Sequence, residues 1–261
     1  MEESLVLFQE LGDRTWTVRT VSVLGQAAVR AREFERGLAL REQAVALARD
    51  EADEWNLAMA LLNLGLSRLQ VEDHARAQVA LEESLELHQT LGDFKGVAQV
   101  LDALGMLALA EGNYTQAASL LEEALALARK LGHVLQVADF MADLAVVALH
   151  EGDWTRAGRL LHESCTLAQQ AEDEFSIAQC LWGMAVVAAA QGHAARAVRL
   201  WAAAATLRYE LTIPPSAVRR LEKHLLRLLH EALGSDGFRA EWASGQAMRR
   251  DDAIAYAFAT S

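Results

Sequence analysis

At 261 residues the chain is long enough for one or two domains and a sizeable buried core. Hydrophobic residues reach 52% while aromatics stay at 6% and prolines at 2, an alanine- and leucine-rich composition of helix formers that disfavours an all-β sandwich. A formal charge of −12 argues against a nucleic-acid binder; two cysteines suit a reducing cytoplasm rather than a disulfide framework; no apolar run is long enough to span a membrane, and the first residues lack the pattern of a secretory signal.

A shift of forty residues aligns nearly the whole chain without a gap. Leu11-Gly12-Asp13 recurs as Leu91-Gly92-Asp93 and Leu131-Gly132-His133, and Glu51-Ala52-Asp53 and Ala171-Glu172-Asp173 hold the same place. A second signal is Glu111-Gly112-Asn113, Glu151-Gly152-Asp153 and Gln191-Gly192-His193, with degraded copies at Arg32-Glu33-Phe34 and Glu72-Asp73-His74. In chain order, residues 1–13 read as the second half of an incomplete repeat, because Met1-Glu2-Glu3-Ser4-Leu5 matches Leu81-Glu82-Glu83-Ser84-Leu85. Its apolar Leu5, Phe8 and Leu11 then need cover, from sequence lying upstream in a longer protein, from a partner or from a second copy.

Residues 11–210 read as five helical hairpins. Val97, Val100, Leu101, Leu104 and Leu107 stand three or four apart, the apolar stripe of a helix, and Ala117, Leu120, Leu121, Ala124 and Leu125 continue the pattern in the next segment. Asp93 and Asp173 are expected to cap first helices, and Asn113 and Asp153 second helices. Gly112, Gly152 and Gly192 suit the left-handed position that closes a helix. Residues 211–261 read as a C-terminal helical cap. The pattern breaks at Leu211-Thr212-Ile213-Pro214-Pro215; a helix follows over Ser216 to Leu233, with Val218, Leu221, Leu225, Leu228 and Leu229 on one face and Arg219, Arg220, Lys223 and Arg227 on the other. Two shorter helices are expected near Phe238–Met248 and Asp251–Phe258, folding Phe238, Trp242, Ile254 and Phe258 back as a lid on the last hairpin.

Small residues recur at three fixed places in each unit: Gly25, Gly37, Ala44; Gly65, Ala77, Ser84; Gly105, Ala117, Ala124; Ala145, Ala157, Ser164; Ala185, Ala197, Ala204. Close approach of helix axes requires such side chains where the helices cross. Four residues after the middle position stands a large residue: Arg41, Leu81, Leu121, Leu161 or Trp201. The pattern resembles the tetratricopeptide repeat, although the period of 40 exceeds the usual 34; HEAT repeats match the period, but nothing in them calls for this triplet. The resemblance implies an all-α, right-handed α-solenoid of tetratricopeptide-like hairpins.

The stretch LGSDGFRAEWASGQAMRRDDAIAYAFA resembles the end of the helical-repeat region in large bacterial ATP-binding regulators of the LuxR type and related signal-transduction ATPases. The matching residues are Leu233-Gly234, Phe238, Trp242, Gly245, Asp251-Asp252 and Ala253 to Ala257, preceded by Leu200 to Ala204 and Pro214-Pro215. The resemblance implies a sensor or interaction region, with an ATPase module upstream and an output module elsewhere. Neither a phosphate-binding loop nor a basic recognition helix occurs in this sequence, so ATPase activity and DNA binding are not carried over.

No catalytic or metal-binding constellation stands out, and no cofactor is implied. His150-Glu151 and His230-Glu231 lack a second histidine four residues after the first, so neither is a zinc motif. Cys165 and Cys180 are expected to approach each other in the core as small hydrophobes. Function is therefore expected on the surface, in a groove lined by first helices. Tetratricopeptide geometry would place Met59, Leu62, Asn63, Leu66 and Leu69 there, then Gln99, Asp102, Met106 and Leu109, then Asp139, Asp143, Val146 and Leu149, then Gln179, Trp182 and Val186. One stripe of these helices must be buried in any case. Residues 51–90 carry a balance of −6 and residues 211–261 one of +1, which would let the cap attract another copy or a neighbouring domain, though an ordinary solvated cap explains it too.

The sequence thus points to a non-catalytic scaffold for a protein or peptide segment with apolar anchors and a basic residue, cytoplasmic, and without direct nucleic-acid or membrane contact. The chain itself is a further candidate partner through the N-terminal half-hairpin. The alternative is a small-molecule sensor with a compact pocket around Trp182, Gln179, His150 and Asp143. A hidden enzyme is a third reading, which the missing set of convergent titratable groups disfavours.

Overall fold

The structure is a computed structural model that describes residues 2–50, 52–207 and 216–259. Among these residues there are thirteen helices and no strand. After α1 (Glu2–Glu10) come first helices α2 (Arg14–Arg30), α4 (Glu54–Gln70), α6 (Phe94–Glu111), α8 (Val134–Glu151) and α10 (Glu174–Ala190). They alternate with second helices α3 (Phe34–Asp50), α5 (His74–Thr90), α7 (Tyr114–Leu131), α9 (Trp154–Gln170) and α11 (Ala194–Leu207). Both series start at forty-residue intervals. The chain ends with α12 (Ser216–Gln246), broken at Gly234 (φ 66°, ψ 170°), and α13 (Arg250–Phe258). The break expected at Leu211 to Pro215 lies outside the described residues.

Local chemistry explains the helix ends. Asp13, Asp53, Asp93, Asp153 and Asp173 each accept a hydrogen bond from the backbone N–H three residues on, at 2.9 to 3.1 Å. Asn113 occupies the same kind of position, but its side chain makes no cap bond, contrary to expectation. Gly112, Gly152 and Gly192 take left-handed φ values of 84°, 76° and 82°. At the corresponding place in degraded turns stand Arg32, Ala52, Glu72 and Glu172, with φ of 53° to 63° and no relief from a missing Cβ.

Packing follows from the small residues. Every position of the triplet is buried. At Gly65 an added Cβ would lie 2.6 Å from the Leu81 side chain, so any larger residue there would force Leu81 to move. Where the third position is serine, its hydroxyl ties the two helices of a hairpin together: Ser84 Oγ donates to the Ala58 carbonyl at 2.8 Å, and Ser164 Oγ to that of Ala138 at 2.7 Å.

The chain divides into two compact units, one through Glu111 and one from Gly112 onward. In the first, α2 pairs with α3, α4 with α5 and α5 with α6, while α2 touches α4 and α4 touches α6. Its core gathers Val18, Val21, Ala44, Val45, Leu61 and Leu64. Leu5 packs against that core and Phe8 stacks on Trp16 of α2 at 5.8 Å, so the first unit itself partly covers two of the three apolar residues that needed cover; Leu11 remains 76% exposed. In the second unit α7 to α11 each pack on the next, and α13 lies against α10 and α11. Trp242 meets Trp201 edge-on at 5.9 Å and stacks on Phe238 at 5.7 Å. Phe258 reaches instead to His162 on α9, at 4.8 Å.

Candidate functional site

The expected groove residues occupy three kinds of environment. In the first unit Asn63, Gln99 and Asp102 are half-buried, Leu66 is 39% exposed, and Leu62, Met106 and Leu109 are buried. Asn63 Nδ2 donates to the Met59 carbonyl at 2.8 Å, which fixes its rotamer. In the second unit Asp139, Asp143 and Gln179 are half-buried, while Val146, Leu149, Trp182 and Val186 belong to the core. Met106, Val146, Trp182 and Val186 therefore present little surface, all of it apolar side chain or sealed indole, to a ligand in this conformation. They lie on the side of the first helix that the stacking of neighbours must bury.

Asp139 is committed internally, since Ser176 Oγ donates to its Oδ1 at 2.6 Å and joins α8 to α10. Burial pushes its carboxyl above the usual range, partly offset by that bond. Trp182 and Gln179 line a cavity with Val146, Leu149, Leu161 and Val218 of α12, but its volume is about 10 Å³, room for one water at most. His150 and Asp143 do not line it, and His150 stacks on Tyr114 at 5.5 Å. The indole Nε1 of Trp182 is buried there without an acceptor. A larger open groove of about 740 Å³, lined by Trp154, Arg159, His162, Met184 and Phe258 among others, lies where α9, α10 and α13 meet. Sequence reasoning missed it because α13 has no counterpart in the repeat.

Two of the buried polar residues of the first unit are ionisable. His88 is fully buried on α5, with Nδ1 3.1 Å from Asp93 Oδ2 and Nε2 without a partner. Burial pulls the imidazole below its ordinary value, against the pull of Asp93. Burial raises the Asp93 carboxyl, yet the Gly96 N–H, His88 and the Trp55 indole together hold it below the usual range. Gly96 makes room for the ring: any Cβ there would collide with it. Arg41 is 5% exposed, its Nε has no partner, and burial, followed by the charge of Arg30, brings its pKa down to about 10. In the sequence it is the one charged residue in a column otherwise holding Leu81, Leu121, Leu161 and Trp201.

Cys165 and Cys180 are buried free thiols in contact, and Cys180 lies 3.3 Å from Ser164 Oγ. The Cys165 neighbour and burial push the Cys180 thiol well above its usual range, which favours an inert thiol. No cluster of three or more metal-ligating side chains occurs among the described residues. Glu83 and Glu122, on solvated faces of second helices, pair with Arg49 and Arg156 of neighbouring hairpins.

Residues 56–130 match the tetratricopeptide repeat family. The crystal structure of BtubC (BKLC) from P. vanneervenii is similar in fold, with a TM-score of 0.61 and 17% identity over 89% of this chain and 88% of that one. No curated protein matches in sequence. The chain is an all-α protein of stacked helical hairpins and contains a tetratricopeptide-repeat region.

Proposed function

We propose that the chain is a non-catalytic scaffold whose first-helix faces hold a protein or peptide segment, acting as the sensor or regulatory part of a bacterial transcriptional or signalling regulator. Tetratricopeptide repeats generally mediate protein–protein interaction. The observation that carries the reading is the row of half-buried polar side chains on successive first helices, Asn63, Gln99 and Asp102 in one unit and Asp143 and Gln179 in the other. Such groups are partly open to solvent on helices held by their neighbours, which suits hydrogen bonding to an extended backbone or a helix. The regulator context rests on the C-terminal motif from Leu233 to Ala257 alone.

A random peptide library displayed on phage tests the reading. Selection on the wild-type protein is expected to enrich peptides that bind Leu66→Lys at least about tenfold more weakly, since a lysine there puts a charge into the apolar part of the face. No enrichment, or enrichment indifferent to Leu66→Lys and Asp143→Asn, would discard the first-helix face as the binding surface.

A further inference from the structure

Arg41 is where the repeat breaks its own rule. Four other units place leucine or tryptophan in that column, and their side chains close the core beside the small-residue crossing. Arg41 replaces an apolar plug with a charged side chain that is 5% exposed, its Nε buried with no hydrogen-bond partner. A buried charge without a partner is costly, and a protein that keeps one gives up stability for something else.

The register shows where this charge points. Leu161, three periods later, lines the cavity at the seam between first helices α8 and α10. Arg41 holds the same place at the seam between α2 and α4. Its stem runs along Gly25, where an added Cβ would stand 3.1 Å from Arg41 Cδ. On α2, Gln26 and Arg30 follow one turn apart on the exposed face, and Arg30 is close enough for its charge to act on Arg41. Residues 14–41 hold six arginines and two glutamates, +4 in a chain of −12. Leu66, 39% exposed on α4, supplies apolar surface on the same side of the seam.

We propose that Arg41, assisted by Arg30, is a binding site for a carboxylate side chain of an acidic partner segment, which docks on the first-helix face of α2 and α4 with an apolar residue against Leu66. The planar guanidinium offers a carboxylate two parallel N–H donors, and the pairing supplies the counter-charge that the fold withholds. This rests on the scaffold reading above and sharpens it. The expected partner of this unit is acidic, opposite in sign to the basic segment that the acidic groove residues led the sequence to suggest.

The test uses the full chain and two fluorescein-labelled hexapeptides, one of alternating leucine and glutamate and one with glutamine for glutamate. Wild-type protein is expected to bind the glutamate peptide about tenfold or more tightly than the glutamine peptide. Arg41→Leu installs the residue of the other units; it is expected to melt at higher temperature and to lose the preference. Arg30→Gln is expected to weaken binding of the glutamate peptide by a smaller factor with folding unchanged. A preference retained in Arg41→Leu, or absent in wild type, overturns the site. Displacement of the peptide by inorganic phosphate but not by acetate overturns the carboxylate assignment. Library peptides without acidic residues that bind wild type and Arg41→Leu equally overturn the site while leaving the scaffold standing; failure of the library to select any peptide overturns the scaffold reading itself.

Discussion

Two residues at equivalent turns differ by one methyl group and bear opposite consequences. Gly132 adopts φ 72° with nothing within 4 Å of an added Cβ, so Gly132→Ala is expected to cost about 0.5–1 kcal/mol, the backbone strain less the freedom removed from the unfolded chain. Ala52 adopts φ 53° in the equivalent turn, and Ala52→Gly is expected to gain about 0.5–1 kcal/mol, the strain relieved less the freedom given to the unfolded chain. Urea denaturation of both variants checks the pair; a shift of the same sign in both would refute the account. His88 is a second residue-scale case. Its folded pKa is depressed, so the fold binds its proton more weakly than the unfolded chain does. Its contribution to stability is complete above the ordinary histidine value near 6.5 and is lost as pH falls below it. His88→Ala, which restores the residue found at Ala48, Ala128 and Ala168, is expected to reduce the loss of stability between pH 7.5 and 5.5. An unchanged slope would assign that loss to other groups.

At the level of elements, hydrogen bonds across the hairpin and the docking of the last helices are both exposed to single substitutions. Ser164 Oγ is buried and serves Ala138 O and the Cys180 thiol, so Ser164→Ala is expected to cost about 1 kcal/mol. Gly245 sits against α11, where a Cβ would strike the Arg199 carbonyl oxygen and stand 2.7 Å from Ala202 Cβ. Gly245→Ala is expected to destabilise by about 1–3 kcal/mol and to raise hydrogen exchange in α12 beyond Gly234 and in α13 ahead of α8 to α10. Uniform loss of protection across the second unit would mean that these helices do not open separately. Glycine at this position was visible in the C-terminal motif of the sequence; its reason, the closeness of Arg199, was not.

For the whole molecule, a stack held by nearest neighbours need not be uniformly stable. Among the described residues the first unit carries three of the four strained non-glycine turns, at Arg32, Ala52 and Glu72, together with the buried charge of Arg41. Among its described residues the second closes its turns with glycine at 112, 132, 152 and 192 and has Glu172 as its one non-glycine residue at positive φ. Native-state hydrogen exchange is therefore expected to show amides of α2 to α4 opening at lower free energy than those of α8 to α10. The reverse order would show that core packing, not turn strain or Arg41, sets the gradient.

Much of this was legible in the residues because a repeat states its geometry many times. The forty-residue period, the two turn signals and the small-residue triplet each follow from what a helix crossing permits, and they depend only on spacing along one chain. The helix starts at Arg14, Glu54, Phe94, Val134 and Glu174 follow that spacing. The faces were harder to read. A long first helix between two neighbours buries more than one stripe, so spacing alone could not separate Leu66, which stays open, from Met106, Val146, Trp182 and Val186, which do not. The pairing of Asp139 with Ser176, the cavity that Trp182 shares with Val218 and the isolation of Arg41 depend on residues 36 or 37 positions away or on a neighbouring charge. Sequence determined which helices form and how they repeat, because those are local properties of side-chain size and backbone freedom. Tertiary structure decided which polar groups are satisfied and which still await a partner, because that depends on every atom within hydrogen-bonding distance.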